Sequence, residues 1–382
     1  MYFDHNSTTP LAPEVADSFL SAMRNVSGNA SSTHRAGQFA RQELENARRR
    51  IARLLNISPN ELVFTSGGTE SNNLALAGVN RHVITTAIEH PAVLEPLRYL
   101  EQKGIAVTRV GVNAAGVVDP AAIERELRED TALVSVMHAN NETGAVQPLP
   151  WIAAIVRRRR ASGQALYLHC DGVQGLGKLP VDLAELGVDL YSMSAHKIHG
   201  PKGVGALFVK QGTPLESLHR GGRHERGRRA GTENVPGIMA FAHALELAVE
   251  AGVNNVTRLR DRFERTVMSA LADVEVNTSM AERLPNTSSL LFRGISGEAL
   301  LIALDTAGFA VSTGSACASG SIEPSHVLLA AGRTISEARS SVRFSFGRFH
   351  TEQEIDQLSG AVISSAGRLR ARRERRLQLV AQ

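Results

Sequence analysis

Short, continuously apolar segments alternate with longer amphipathic segments along the first two thirds of the chain. In residues 38–55, apolar side chains recur at Leu44, Ala47, Ile51 and Leu54, which is the spacing of one helical face. The short apolar segments are typical of strands that are buried on both faces. We predict seven such strands, at residues 61–65, 82–86, 105–110, 131–137, 165–171, 190–194 and 205–209. The helices between them predict an α/β fold, with a mostly parallel seven-stranded sheet between helices.

The pattern changes after a predicted pair of long helices, at about 235–251 and 253–271. Shorter strand-like pieces then occur at 288–292, 310–312 and 341–346. A helix and a loop rich in glycine and serine separate them. We therefore predict a large domain over residues 13–255. Residues 1–12 and 256–382 are predicted to form a smaller α+β domain, which carries the Gly/Ser-rich loop at about 312–325.

Composition narrows the class of protein. The 382 residues are 43% hydrophobic, with a formal net charge of +4, which is ordinary for a globular protein with a large core. No segment approaches the about 18 apolar residues of a membrane span, and no secretion signal is visible at the N-terminus. We therefore expect a cytoplasmic protein without a membrane partner. Arginines cluster at 157–160, 220–229 and 368–376, but few aromatic residues accompany them, so no direct nucleic-acid binding is expected.

Polar residues follow five of the predicted strands. They lie at 66–69, 89–90, 140–142, 171–174 and 194–197. In a parallel α/β sheet, ligands bind at the carboxyl ends of the strands. So many polar clusters at one edge of the sheet indicate a binding site rather than ordinary loops.

Lys197 is a candidate amine nucleophile. It is one of five lysines among 42 lysine and arginine residues, and it comes just after a predicted strand. Lysine forms a Schiff base or loses its charge near neutral pH once it is desolvated, whereas arginine does neither. The alternative is a surface lysine in a loop, which is the better interpretation when Lys197 is considered alone.

Two further motifs fit a heterocycle that carries a phosphate. Asp171 ends an apolar strand, where a carboxylate stabilises a protonated ring nitrogen or else caps a turn. Gly68 and Thr69 join a strand to a helix, where free backbone N–H groups favour a phosphate. A tight turn with a helix cap has the same pattern as this second motif.

Polar side chains on other loops are candidates for the same site. His90 follows a strand and can stack on a planar ring or move protons, although a lone histidine is more often structural. Asn141 and Gln174 can hydrogen-bond a ring substituent. Arg343 lies in a predicted strand, where it either binds a carboxylate bidentately or forms a salt bridge, and the sequence favours neither.

The two cysteines differ in their surroundings, and they are too few for a disulfide framework. Cys170 has apolar neighbours and is predicted to be structural. Cys317 lies within residues 312–321, a run of small and polar residues that cannot pack a core. We predict that Cys317 is an accessible, reactive thiol.

In combination, these motifs resemble the NifS/IscS-type cysteine desulfurases, in the class-V group of fold-type I pyridoxal phosphate enzymes. The shared motifs run nearly from end to end, at residues 4–10, 64–71, 89–93, 140–144, 171–174, 194–197, 228–234, 314–317, 323–326 and 343–345. The resemblance implies the large cofactor-binding domain and the small domain of that fold. Gly172 stands where the family usually has alanine beside the cofactor ring, a departure that we expect to matter little.

The resemblance implies a role for each candidate residue. Lys197 holds pyridoxal 5'-phosphate as a Schiff base and moves protons. Asp171 pairs with the ring nitrogen, and Gln174 pairs with the ring hydroxyl. His90 stacks on the ring and takes part in proton transfer, and Asn141 helps to place the cofactor or the substrate.

The resemblance also implies how the two charged groups of cofactor and substrate are held. The residues expected to hold the phosphate are Gly68, Thr69, Ser194 and His196. Thr232 would reach the phosphate in the neighbouring protomer's site, which implies a homodimer. Arg343, together with Asn141, would bind the carboxylate of the substrate.

The implied reaction removes sulfur from L-cysteine. The Cys317 thiolate attacks the substrate sulfur, L-alanine leaves, and the persulfide passes its sulfur to an acceptor protein such as an iron–sulfur scaffold. The resemblance implies no resident metal. An iron–sulfur cluster is expected on Cys317 only transiently, shared with a scaffold.

Other functions remain compatible with the sequence. A selenocysteine lyase, or another class-V lyase or aminotransferase, would hold the cofactor in the same way, and in an aminotransferase Cys317 would be incidental. A nucleotide- or RNA-binding α/β module would instead use the Gly68 loop and the arginine clusters.

Overall fold

The computed structural model describes residues 1–314 and 323–380. The strands of the first two thirds are β1 (Leu62–Thr65), β2 (Val83–Thr86), β3 (Val107–Val110), β4 (Leu133–Ser135), β5 (Tyr167–Asp171), β6 (Leu190–Ser194) and β7 (Gly205–Val209). The helices of this part are α1 (Pro13–Asn25), α2 (Arg35–Leu54), α3 (Gly68–Leu76), α4 (Pro91–Gln102), α5 (Pro120–Glu126), α6 (Leu149–Ala161), α7 (Leu183–Leu186) and α8 (Val235–Ala251). Each strand predicted for this part lies within a few residues of its expected bounds. The single-turn helix α7 is too short for the hydrophobic pattern to predict.

The seven strands form one sheet, in the order β1-β7-β6-β5-β4-β2-β3. Strands β2 to β6 pair in parallel, whereas β7 runs antiparallel to both β6 and β1. Every residue of β1, β2, β4, β6 and β7 is buried, as expected for a sheet covered by helices on both faces. The predicted α/β fold is confirmed.

The remaining part contains α9 (Asn254–Ala270), β8 (Val274–Val276), β9 (Thr287–Phe292), α10 (Gly297–Thr306), α11 (His326–Ala330), α12 (Ile335–Arg339), β10 (Ser341–Ser345) and α13 (Glu352–Val380). Its strands form an antiparallel sheet in the order β10-β9-β8. The predicted strand at 310–312 is wrong. Those residues form two isolated bridges, Tyr2 with Ala310 and Ser312 with Arg343, because their pairing alternates between two different neighbouring segments and no continuous ladder develops.

The two largest hydrophobic clusters lie in different parts of the chain. One packs against the seven-stranded sheet and includes Leu44 and Phe241. The other includes Phe263 and Phe344. Phe3 belongs to this second cluster, and the backbone around it bonds to β10. The N-terminal segment therefore runs from the second cluster towards the carboxyl end of β6.

Within the described residues, no single helix is long and apolar enough to cross a membrane. Helices α8 and α9, which meet at an angle of 68°, reach the length and apolar composition of a membrane span only when the two are counted together.

Candidate active site

A cavity of about 250 Å³ lies at the carboxyl ends of β5 and β6. Ten of the twelve sequence-predicted site residues line it: Gly68, Thr69, His90, Asn141, Asp171, Gln174, Ser194, His196, Lys197 and Arg343. Thr232 is instead exposed, in the loop before α8, and its role stays a prediction. Cys317 lies outside the described residues, but Gly314, three positions before it, lines the cavity.

Lys197 is held at the end of a buried strand. It belongs to a single helical turn that directly follows β6. Its Nζ donates to the main-chain carbonyl of Asn6 and, at 2.8 Å, to that of Ser7. The N-terminal segment therefore faces the candidate nucleophile, in a contact that spans 190 residues of sequence.

The carboxylate of Asp171 is oriented by two donors. Asp171 is the last residue of β5 and is 7% exposed. Its Oδ2 accepts a hydrogen bond of 2.7 Å from Asn72 Nδ2, and its Oδ1 accepts one of 3.0 Å from Val173 N. Asn72 lies on α3, so this helix aims the carboxylate as well as bordering the cavity with its first turn.

His90 caps the N-terminus of α4. Its Nδ1 accepts a hydrogen bond of 3.0 Å from Ala92 N, so the neutral ring carries its hydrogen on Nε2. Burial lowers the pKa of His90, and the charges of Lys197 and His326 lower it further, while Asp171 acts in the opposite direction. The imidazole is therefore neutral at pH 7.

One end of the cavity is suited to an anion. Gly68 begins α3, where backbone N–H groups have no helical partner. A Cβ at position 68 would lie 2.5 Å from Val173 Cγ2, so a side chain here would block access of an anion to the N–H groups at the start of α3. The Ser194 hydroxyl is buried, and no described residue is its hydrogen-bond partner. Lys202 lines the adjoining opening next to Ser194.

His196 lies at the same end of the cavity. Its Nδ1 is 3.0 Å from the hydroxyl oxygen of Thr8. Burial lowers the pKa of His196 to about 4, with further lowering by Lys197 and Lys202. A neutral imidazole at this position acts as a hydrogen-bond donor rather than as a counter-charge.

Arg343 lies in the middle of β10 and is 3% exposed. Its guanidinium donates to Asn141 O at 2.9 Å, to Asp4 Oδ1 at 2.6 Å and to Ser7 Oγ at 2.7 Å. The salt bridge considered from the sequence is thus present, with Asp4, and the side chain still lines the cavity. The two interpretations of Arg343 are compatible.

Eight further residues that sequence reasoning did not name as site residues also line the cavity, among them Asn6, Ser7, Asn72 and Val173. Asn6 and Ser7 lie in one of the shared motifs, and their polarity was a usable signal. Asn72 follows Gly68 by one helical turn, so helical periodicity identifies it as a neighbour.

The structure corrects the expectation for Gly172. Val173 takes the place on the cavity wall that we expected for the residue at 172. A Cβ at position 172 would lie 1.9 Å from Cζ of Tyr191. The Tyr191 hydroxyl in turn lies 2.8 Å from Nδ1 of the buried His138. The glycine makes room for this tyrosine, so the departure from alanine is not a small one.

Comparison with known proteins identifies the family. The sequence profile of the family described as aminotransferase class-V matches residues 1–358. The chain belongs to the class-V aminotransferase family. A curated relative, cysteine desulfurase IscS of Dictyoglomus turgidum, is 43% identical over 366 residues, which cover 93% of this chain and 92% of the relative.

Solved structures show the same similarity of fold. A NifS-like protein is 38% identical, with a TM-score of 0.88, and the match covers 95% of this chain and 98% of the other. SspA, solved in complex with cysteine, is 31% identical with a TM-score of 0.81, and the match covers 92% of this chain and 99% of SspA. The class-V fold thus extends over nearly the whole chain.

Proposed function

We propose that this class-V protein is a cysteine desulfurase that uses pyridoxal 5'-phosphate. In this reaction L-cysteine gives L-alanine, and its sulfur becomes a persulfide on Cys317. One observation carries the proposal: Lys197, Asp171 and His90 line one cavity in a chain whose curated relatives are named cysteine desulfurases. When bound, the cofactor supplies an electron sink for the α-carbon of an amino acid.

The residues present fit this cofactor. The Ser194 hydroxyl, which has no hydrogen-bond partner in residues 1–314 and 323–380, and the uncapped N-terminus of α3 at Gly68 suit a phosphate. The carboxylate of Asp171, held by Asn72, suits a protonated ring nitrogen. Lys197 supplies the amine for covalent attachment.

Substrate binding is assigned to Arg343. Its planar guanidinium suits a carboxylate, and its buried Nε has no partner among residues 1–314 and 323–380. The main-chain carbonyl of Asn141 accepts a hydrogen bond from the guanidinium, so Asn141 helps to hold Arg343 in place. Arg343 and Lys197 both contact Ser7, so a carboxylate bound at Arg343 would place the α-amino group of the substrate on the side of Lys197.

Proton transfer is assigned to two side chains. The Lys197 amine donates hydrogen bonds to the main-chain carbonyls of Asn6 and Ser7. These two bonds hold its nitrogen atom at a defined position in the cavity. The neutral His90 ring presents its Nε2–H, because its Nδ1 is engaged by Ala92. Both groups can therefore exchange a proton with a bound amino acid.

The Cys317 thiolate is assigned the sulfur transfer. It attacks the substrate sulfur, so that an S–S bond forms as the C–S bond breaks. The electron pair of the C–S bond stays on the substrate carbon, which takes up a proton to become the methyl group of alanine. Gly314 lines the cavity, and three residues span at most about 11 Å, which supports this assignment.

We further propose a homodimer in which Thr232 completes the neighbouring site, and a protein acceptor for the sulfur, such as an iron–sulfur scaffold. The exposed position of Thr232 supports the first point, because the hydroxyl is accessible to a second copy. The names of the IscS relatives support the second. A cytoplasmic location is proposed with them.

Replacing Cys317 with alanine tests the reaction. We expect release of sulfide and alanine from L-cysteine to be abolished, while an absorption band at about 420 nm remains. Cys170→Ala is the matched control, because Cys170 is fully buried and burial raises the pKa of its thiol far above the usual range. We expect that control to retain activity.

Two outcomes would contradict the proposal. Undiminished sulfide release by Cys317→Ala would favour a class-V lyase that does not use this thiol, and exclusive turnover of selenocysteine would favour a selenocysteine lyase. Purified protein without a visible band after incubation with pyridoxal phosphate would favour a different class of protein. In Lys197→Ala the covalent band should be lost.

A further inference from the structure

A second lysine, Lys178, lies behind the wall of the cavity. It follows Gln174 by four positions, and its exposed fraction is 8%. Its Nζ donates to Oε1 of Gln174 and, at 3.3 Å, to Oδ1 of Asn6. The proposed reaction assigns no role to this buried amine.

The side-chain amide of Gln174 has one orientation that satisfies both its ends. Its Nε2 donates to the main-chain carbonyl of Asn6 at 3.0 Å. A carbonyl oxygen only accepts, so the NH2 end of the amide must face it. The opposite end, Oε1, requires a donor, which Lys178 supplies. The two contacts therefore select the same orientation of the amide.

The orientation of the Asn6 side-chain amide is fixed by its own hydrogen bonds and does not depend on the orientation assigned to Gln174. Its Nδ2 donates to Asn141 O at 3.1 Å and to Thr287 Oγ1 at 2.8 Å. The remaining end, Oδ1, thus faces Lys178. The lysine amine lies between two amide oxygens, and it donates to both.

The charge of Lys178 does not alter this geometry. Burial lowers the pKa of Lys178 far below its usual value, and the charges of Lys197 and Arg343 lower it further. A neutral amine retains two N–H bonds, which is enough for two acceptors. Lys178 therefore serves as a donor in either protonation state.

The consequence of this arrangement reaches the cavity. Gln174 Nε2 carries two N–H bonds, and the carbonyl of Asn6 accepts one of them. Gln174 lines the cavity, and no hydrogen bond to a described residue uses the second N–H. A donor is thus presented to whatever occupies the cavity beside Asp171.

We propose that Lys178 is a positioning residue, which holds the Gln174 amide so that an N–H donates to the ring oxygen of the bound cofactor. The inference rests on the proposed pyridoxal phosphate function and names a residue that this function leaves unexplained. Without Lys178, Oε1 of Gln174 would be buried without a donor. The amide would then turn or shift, and the ring oxygen would lose its donor.

The expected effect is on the protonation of the Schiff base that joins Lys197 to the cofactor, called the linkage below. The charged and titratable groups around this linkage are Asp171, His90, His196, Lys178 and Arg343. A ring oxygen without a donor accepts the linkage proton more strongly, so the proton is kept to higher pH. We expect the pH midpoint of the visible absorption band to rise by about 1 unit.

The test is a pH titration of the visible band in the holoenzyme and in Lys178→Met, Gln174→Leu and the double variant. Lys210→Met is the matched control, since Lys210 is an exposed lysine of the same chain. We expect Lys178→Met and Gln174→Leu each to raise the midpoint by about 1 unit, and the double variant to show no further rise. Lys210→Met should keep the parent midpoint, and thermal unfolding checks that each variant is folded.

An unchanged midpoint in folded Lys178→Met overturns the inference, and so do additive shifts, because the lysine would then act without the amide. If Lys178→Met does not retain the cofactor, the smaller Lys178→Ala decides by the same titration. Loss of the cofactor in both lysine variants, with retention in Gln174→Leu, also overturns it. The proposed function fails separately, because parent protein without a visible band would contradict the function before any variant is compared.

Discussion

Replacing Gly172 with alanine should destabilise the protein. The same substitution at Gly360 is the control and should stabilise it slightly. The added Cβ would lie 1.9 Å from Cζ and 2.0 Å from Cε1 of Tyr191, far inside van der Waals contact. Tyr191 is fully buried in β6 and pairs across the sheet with Cys170. Its ring therefore has little free space to enter, because protein interiors are close-packed.

The magnitude follows from two contributions. Overpacking a core costs about 1–3 kcal/mol. Displacing the ring also breaks the 2.8 Å hydrogen bond between the Tyr191 hydroxyl and His138 Nδ1, and a buried polar group left unpaired costs about 1–3 kcal/mol. The expected loss is roughly 2–6 kcal/mol, a large part of a typical stability of about 5–15 kcal/mol.

Urea denaturation followed by circular dichroism measures this loss. Gly360 lies within α13, with no atom within 4 Å of an added Cβ, so Gly360→Ala should add up to about 1 kcal/mol from helix propensity. In a Tyr191→Leu background, where Cζ is absent, Gly172→Ala should cost less than about 1 kcal/mol. Parent-like stability of the single Gly172→Ala variant would refute the reasoning.

Glu225→Gln should destabilise the protein by about 3–5 kcal/mol, because the buried Arg48 loses its charged partner, which lies 2.7 Å away. Urea denaturation measures this loss. The exposed control Glu95→Gln should change the free energy of unfolding by less than about 0.5 kcal/mol. Ser194→Ala should weaken pyridoxal phosphate binding about tenfold, as measured by fluorescence titration, and equal affinity would remove the hydroxyl from the phosphate site. The cofactor-free Ser194→Ala protein should be at least as stable as the parent, since no residue in the described part of the chain partners this hydroxyl. Burial raises the pKa of Glu89 from 4.5 to about 8, so the folded protein keeps a proton that the unfolded chain loses. Stability should therefore fall as pH rises from about 4.5 to about 8, by up to about 1.4 kcal/mol per unit, and Glu89→Gln should lack this contribution to the slope.

Most of the cavity could be predicted from the sequence because its residues follow strands. A parallel sheet brings the carboxyl ends of its strands to one edge, so Asp171 and Lys197 become neighbours once the strands are recognised. Arg343 was less certain, because a lone arginine in a strand has two ordinary explanations. The structure shows the salt bridge, with Asp4, and carboxylate binding stays a prediction. The roles of Thr232 and Cys317 stay predictions, the first because it concerns a second copy of the chain and the second because the residue lies outside the described part.

Local residue order by itself determined the seven strands and the polar residues at their ends, because burial on both faces of a sheet requires continuous apolar runs that only loops can interrupt. Tertiary structure decided the antiparallel direction of β7, the approach of the Asn6 carbonyl to Lys197, the contact of Lys178 with Asn6 and the space that Gly172 leaves for Tyr191. Most of these contacts join segments far apart in sequence. They depend on which segments pack together and on which atoms then lack a partner, and the spacing of residues along the chain does not contain that information.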